Sequence, residues 1–277
     1  MRRVVVVLLA GCLVTAGCTA LVGPRDPAAS ETLTPAPVPE EPPARVAPGL
    51  TETGVTDSDA LAQAHVVRLS NVSYTLWYTR TVRTGDGDVR LRQTTVFRTG
   101  ANYREYVARR TVTGTSVPET ELRTRWTDGR AIERTTVNET TRREVVADGR
   151  GIGAPPLPPR EALFFEPTYN SRLASLFDGA NVTDVSPARE EVRQTYGAPV
   201  YRVSADGATD RSQFPVAPAE RVGDVGFTAV VGPEGLVYDY GVQYTVVRNG
   251  TTLRVTESLR YGEVGTTTPE LDGRTER

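Results

Sequence analysis

The sequence contains no lysine: all 32 basic residues are arginine, set against 34 acids, for a formal charge of −2 at neutral pH. Without lysine there is no Schiff-base amine, no Ser-Lys dyad and no P-loop ammonium, so three kinds of mechanism drop out together. Cysteine is nearly as scarce. Cys12 and Cys18 both fall in the N-terminal apolar segment, which leaves the body without a disulfide, a thiolate nucleophile or a cysteine-ligated metal. The single histidine, His65, has no second imidazole or thiolate with which to share a metal, and is expected to be a partly exposed helix residue. Hydrophobic residues make up only 38%, while Thr, Arg and Val are plentiful, a mixture that favours two-faced strands over buried helices. No basic nucleic-acid footprint is visible along the chain, and no cofactor is expected.

What is present begins at the N-terminus. Arg2 and Arg3 form a short positive start, and Val4 to Ala16 form an apolar run of signal-peptide length, too short to span a bilayer. The run ends Val14-Thr15-Ala16-Gly17-Cys18, and small residues before a cysteine suit a lipoprotein signal peptidase. Cys18 is therefore the expected lipid-bearing terminus of an exported chain. It would be tethered at the outer face of the cytoplasmic membrane, with loss of Arg2 and Arg3 taking the formal charge from −2 to −4. Leu9-Ala10-Gly11-Cys12 is the alternative, with an apolar run of only about seven residues before it. The Arg2-Arg3 pair also permits the twin-arginine route.

Residues 18–54 read as the lipidated cysteine and a proline-rich stalk. Pro35, Pro37, Pro39, Pro42 and Pro43 stand among Ala, Thr and Glu, too little apolar surface to order the chain, and extended proline-rich backbone would reach up to roughly 100 Å. One β-rich domain is expected over 55–265, with a helical insert at 155–180 and a tail at 266–277. Thr56-Asp57-Ser58-Asp59 resembles a capping box, and Leu61, Ala62, Val66 and Leu69 recur at helical spacing up to Ser70. After Asn71 the period becomes two, and turn signals recur at hairpin spacing. The clearest hairpin runs from Leu236 through Tyr238, Tyr240, Val242, Tyr244 and Val246 to Asn249-Gly250, then back through Leu253, Val255, Leu259 and Tyr261. Five prolines from 155 to 167 precede Tyr169, Leu173, Leu176 and Phe177 at helical spacing, an insert expected to cover one face of the sheet. The fold class is mainly β with a few helices (α+β), as a curved antiparallel sheet or half-barrel capped by helices.

Motifs for catalysis are weak. Gly149-Arg150-Gly151-Ile152-Gly153 imitates a phosphate loop but is followed by prolines rather than a helix N-terminus. Gly114-Thr115-Ser116-Val117-Pro118 lacks the second glycine and the base of a nucleophile elbow. Glu190 with Glu191, and Asp206 with Asp210, lack calcium-loop spacing and read as solvated turns. No enzyme is expected. Asn71, Asn138, Asn181 and Asn249 each open an Asn-x-Ser/Thr sequon, sites for glycan on an exported chain, although Asn249 also suits a hairpin turn without modification.

Pro48-Gly49-Leu50, Gly54-Val55, Asp59-Ala60-Leu61-Ala62, Ala64-His65 and Asn71-Val72-Ser73-Tyr74-Thr75-Leu76 together resemble a family of uncharacterised haloarchaeal surface lipoproteins. The layout of helix, long strands, helical insert and further strands is similar to the LolA and LppX type of lipoprotein. That resemblance implies a half-barrel whose concave face, capped by helices, holds acyl chains. On that reading Tyr74, Tyr78 and Tyr240 line an apolar ligand site beneath a lid carrying Phe164, Phe165, Leu173 and Phe177. The other reading is a monomeric structural or interaction protein of the cell envelope, its aromatics meeting in a filled core.

Overall fold

The computed structural model describes residues 42–127, 130–148, 166–215 and 219–270. Cys12, Cys18, the Gly149–Gly153 loop, the prolines at 155–159, Phe164 and Phe165 lie outside the described residues. Among the described residues the chain is mainly β, with 53% in strands and three α-helices, built on a large antiparallel sheet that is not closed.

The folded unit begins earlier than residue 55. Residues expected in the stalk form three short paired strands, β1 (Arg45–Ala47), β2 (Leu50–Thr51) and β3 (Gly54–Val55). Their cause is local: Val46, Ala47 and Leu50 are buried, and Gly49 turns the chain with φ 71°. A Cβ on Gly49 would lie 1.9 Å from the Asp57 carbonyl oxygen, so only glycine fits against the start of the next helix. That helix, α1 (Ser58–Ser70), is capped by the Asp57 carboxylate, which accepts from the Ala60 amide at 2.8 Å.

Eleven strands follow in the main sheet. They are β4 (Tyr74–Thr84), β5 (Val89–Thr99), β6 (Tyr106–Thr113), β7 (Thr120–Thr127), β8 (Arg130–Val137) and β9 (Thr140–Asp148), then β10 (Ala180–Pro187), β11 (Tyr201–Ala208), β12 (Arg221–Val231), β13 (Val237–Arg248) and β14 (Thr251–Gly262). The order is β10-β11-β12-β13-β14-β4-β5-β6-β7-β8-β9, so two meanders join where the last strand pairs with the first, Leu259 opposite Tyr78. The expected β13–β14 hairpin is present. Asn249 (φ 49°) and Gly250 (φ 71°) make its turn, as a two-residue hairpin connection requires.

Strand alternation divides the sheet into an inner and an outer face. The inner face presents Tyr74, Leu76, Tyr78, Phe97, Tyr106, Trp126, Tyr240, Tyr244, Leu259 and Tyr261 to one continuous buried core. Over it lie α1 and α2 (Asn170–Gly179), which contribute Leu61, Leu69, Leu173, Leu176 and Phe177. Tyr238 leaves the expected stripe: the register shifts between Val230 and Val231, and Tyr238 is only half-buried, its ring 4.6 Å from that of Tyr196. Tyr196 belongs to a third helix, α3 (Glu190–Tyr196), which seats against the outer face by donating its hydroxyl to Asp239. Glu190 and Glu191, expected in a turn, are the first turn of α3, where the helix dipole favours acids.

Candidate functional site

The side chains expected to line a ligand site are buried: Tyr74 is 0% exposed, Tyr78 6%, Tyr240 2% and Phe177 2%. Each meets protein. The Tyr74 hydroxyl lies 3.0 Å from that of Tyr103 and donates to the Pro167 carbonyl, and its ring abuts Tyr261 and Phe97. Phe177 packs edge-on to Phe227, which in turn neighbours Tyr240, while the Tyr78 ring lies 5.0 Å from that of Tyr169 at the start of α2. The structure thus brings Tyr78 and Tyr240 beneath α2, which carries Phe177, and puts Tyr74 at the start of β4 against Tyr103 and Tyr261.

Beneath α2 lies a charged group that the sequence reading missed. Arg172 reaches down from α2 and grips Glu257 of β14 with two hydrogen bonds of 3.1 and 3.0 Å, while its third nitrogen donates to the Gln213 carbonyl. Tyr240 donates to the same carboxylate at 2.6 Å. Burial opposes the Arg172 charge, but the Glu257 carboxylate offsets it and holds the guanidinium above its ordinary pKa. Burial, reinforced by the Glu257 charge, likewise keeps the Tyr240 phenol protonated well above its ordinary value.

The inner face remains polar beyond this pair. By register, Arg80 stands opposite Gln93, and Thr95 opposite both Tyr78 and Arg110. Arg110 donates to Gln93 at 3.0 Å. Yet the Nε atoms of Arg80 and Arg110 and the hydroxyls of Thr95 and Thr124 are buried without a hydrogen-bond partner, while Arg80, opposite Glu257 by register, also engages the Tyr244 hydroxyl. Thr95, Thr124 and Tyr244 are each only 1% exposed. Buried polar groups are rarely left so, and these four lie together on the inner face of β4–β7. Half-buried Val82, Leu91, Val112 and Leu122 share this stretch, so it is amphipathic. Its signal was readable in three interrupted alternations: Tyr78-x-Arg80-x-Val82, Ala108-x-Arg110-x-Val112 and Val255-x-Glu257-x-Leu259 each put a charge where the period demands an apolar residue.

His65 corrects its expectation. It is fully buried: the amide of Val237 donates to Nδ1 at 3.1 Å, and Nε2 lies 3.1 Å from the Thr168 carbonyl oxygen. These partners fit the neutral ring protonated on Nε2, and burial lowers its pKa to about 3. The residue therefore ties α1 to β13 and to the segment entering α2.

Asn71, Asn138, Asn181 and Asn249 are all exposed, at the end of α1, in the β8–β9 turn, at the start of β10 and in the β13–β14 turn. The Asn181 amide donates to the Asp206 carbonyl and is the one of the four held by the backbone. A cleft of about 430 Å³ runs past Asn181 between β3, the end of α2 and β10, and Phe177 reaches it. Among the described residues no group of His, Cys, Asp and Glu is arranged to hold a metal, and no helix is long and apolar enough to cross a membrane. Neither a protein-family model nor a curated protein matches the chain.

Proposed function

We propose that the chain is an exported lipoprotein, tethered through Cys18 at the outer face of the cytoplasmic membrane, whose β domain binds an amphiphile and performs no catalysis. The observation that carries the binding reading is the inner-face stretch of β4–β7, where half-buried Val82, Leu91, Val112 and Leu122 adjoin the guanidiniums of Arg80 and Arg110 and the unpaired Thr95 and Thr124 hydroxyls. An apolar chain with an anionic head matches that mixture, because a carboxylate or phosphate supplies further acceptors to half-buried guanidiniums. On this reading the open sheet under α1 and α2 works as a half-barrel of the LolA kind. Tyr78 and Tyr240 then wall the site near Glu257, and Tyr74 and Phe177 brace it.

The second reading, an envelope protein with a filled core, draws on the close packing of Tyr74, Tyr240 and Phe177. Two measurements on native material separate the parts of the proposal. Cys18→Ser should move the protein from the membrane fraction to a soluble pool, since an acyl chain contributes about 0.8 kcal/mol per buried methylene. Unchanged partition would count against the anchor. Mass spectrometry of co-purified material should find an acidic amphiphile, and its absence from membrane-extracted protein favours the filled core.

A further inference from the structure

We infer that the outer face of β5–β9 is a docking surface for an anionic phospholipid bilayer. Four arginines stand directly opposite one another across four adjacent strands: Arg109 faces Arg123, Arg123 faces Arg134, and Arg134 faces Arg143. Arg125 and Arg92 share the face, by alternation along β7 and from the register of β5 with β6. Among the described residues the acids placed on this part of the face are Asp148, opposite Arg130 at the end of β9, and Glu121, which pairs with Arg109 and Arg123 at 2.5 and 2.7 Å. Those two guanidiniums outweigh the effect of burial and hold the Glu121 carboxyl below its usual range.

Like charges directly opposite on neighbouring strands destabilise a sheet, and one carboxylate, Glu121, stands against the row of four, so the row keeps a positive excess that an anionic surface complements. The whole chain carries a net −2, which makes the concentration of cations on one face a matter of placement and not of composition. The array is two-dimensional: neighbouring strands lie about 4.8 Å apart and same-face residues about 6.8 Å apart along a strand. A plane of phosphates complements such an array better than a single polymer strand, which would need a track. Trp77 adds a second feature of bilayer contacts. It is half-buried on the same face, in the Arg109 row through Val96, with the Arg260 guanidinium 5.8 Å over its ring. α3 lies over the outer face by Arg202, Thr228 and Asp239, away from the arginine row, and the segment after β14 reaches the edge of the face where Arg98 donates to the Glu270 carbonyl.

This docking rests on the reading of the chain as membrane-tethered, yet it is measured without the tether. The chain from residue 19 onward, lacking signal and lipid, is sedimented with vesicles of phosphatidylcholine alone or with a third of phosphatidylglycerol. The expected result is binding to the anionic vesicles only, weakening steeply as salt rises. The triple variant Arg109→Gln, Arg134→Gln, Arg143→Gln should lose on the order of a hundredfold in vesicle affinity, about fivefold per arginine. Its melting temperature should stay close to that of the parent, because the removed repulsions offset the lost Arg109–Glu121 pair and Arg123 still holds Glu121. Equal binding to neutral vesicles, equal binding by the variant, or binding to a soluble polyuronate but not to vesicles each overturns the inference. Loss of the tether itself is read separately, from the Cys18→Ser fractionation.

Discussion

Arg172 and Glu257, 85 residues apart, form a two-pronged ion pair under α2 in which the glutamate side chain is only 1% exposed. The pair thus ties α2 to β14 at the central seam of the sheet. Removing one partner leaves the other charge buried and uncompensated, which costs about 3–5 kcal/mol. Arg172→Leu and Glu257→Leu should each lose about that much in urea denaturation, and the double variant should recover most of it. Additive losses in the double variant would show that the pair does not act as a unit.

His65 gives the fold a pH dependence with a definite sign. The unfolded chain takes up the proton near pH 6.5, whereas the folded chain resists until about 3, so between those values the unfolded state holds more protons. Stability contributed by the neutral ring is complete above about pH 6.5 and falls as the pH drops, by about 1.4 kcal/mol per pH unit inside the window. His65→Gln should be less stable at neutral pH yet show a flatter decline between pH 6 and 4, by nearly one proton. Equal slopes in the two proteins would place the acid sensitivity elsewhere.

The sequons separate by geometry. Asn71 and Asn138 lie exposed at a helix end and in a hairpin turn, whereas the Asn181 amide is engaged by the Asp206 carbonyl. Glycopeptide mapping of native protein is expected to show higher occupancy at Asn71 and Asn138 than at Asn181. Unmodified peptides at all of them, from protein confirmed as exported, would leave threonine-rich composition as their origin.

The β13–β14 hairpin was legible because one physical rule governs it: period-two alternation, broken by an Asn-Gly turn that needs positive φ twice. α1 was legible from its cap for the same reason. His65 was not, because its burial depends on Val237 and Thr168, both more than a hundred residues away. The early strands β1–β3 hid inside a proline-rich segment, where three buried side chains were outweighed by composition. The inward charges left a trace as breaks in alternation, but their pairing, and the arginine ladder on the outer face, arise from register between strands, which a single chain read in order does not display.

On the proposed function, the inner face of β4–β7 binds an amphiphile through Arg80 and Arg110. A delipidated chain from residue 19 onward, titrated with a fluorescent fatty acid, measures it most directly. Saturable one-to-one binding is predicted, weakened about ten- to a hundredfold by Arg80→Gln or Arg110→Gln with the circular dichroism and melting temperature nearly unchanged, as loss of a charge-assisted hydrogen bond implies. No saturable binding at micromolar ligand, or binding that ignores both substitutions, would contradict it and leave the filled core as the better description.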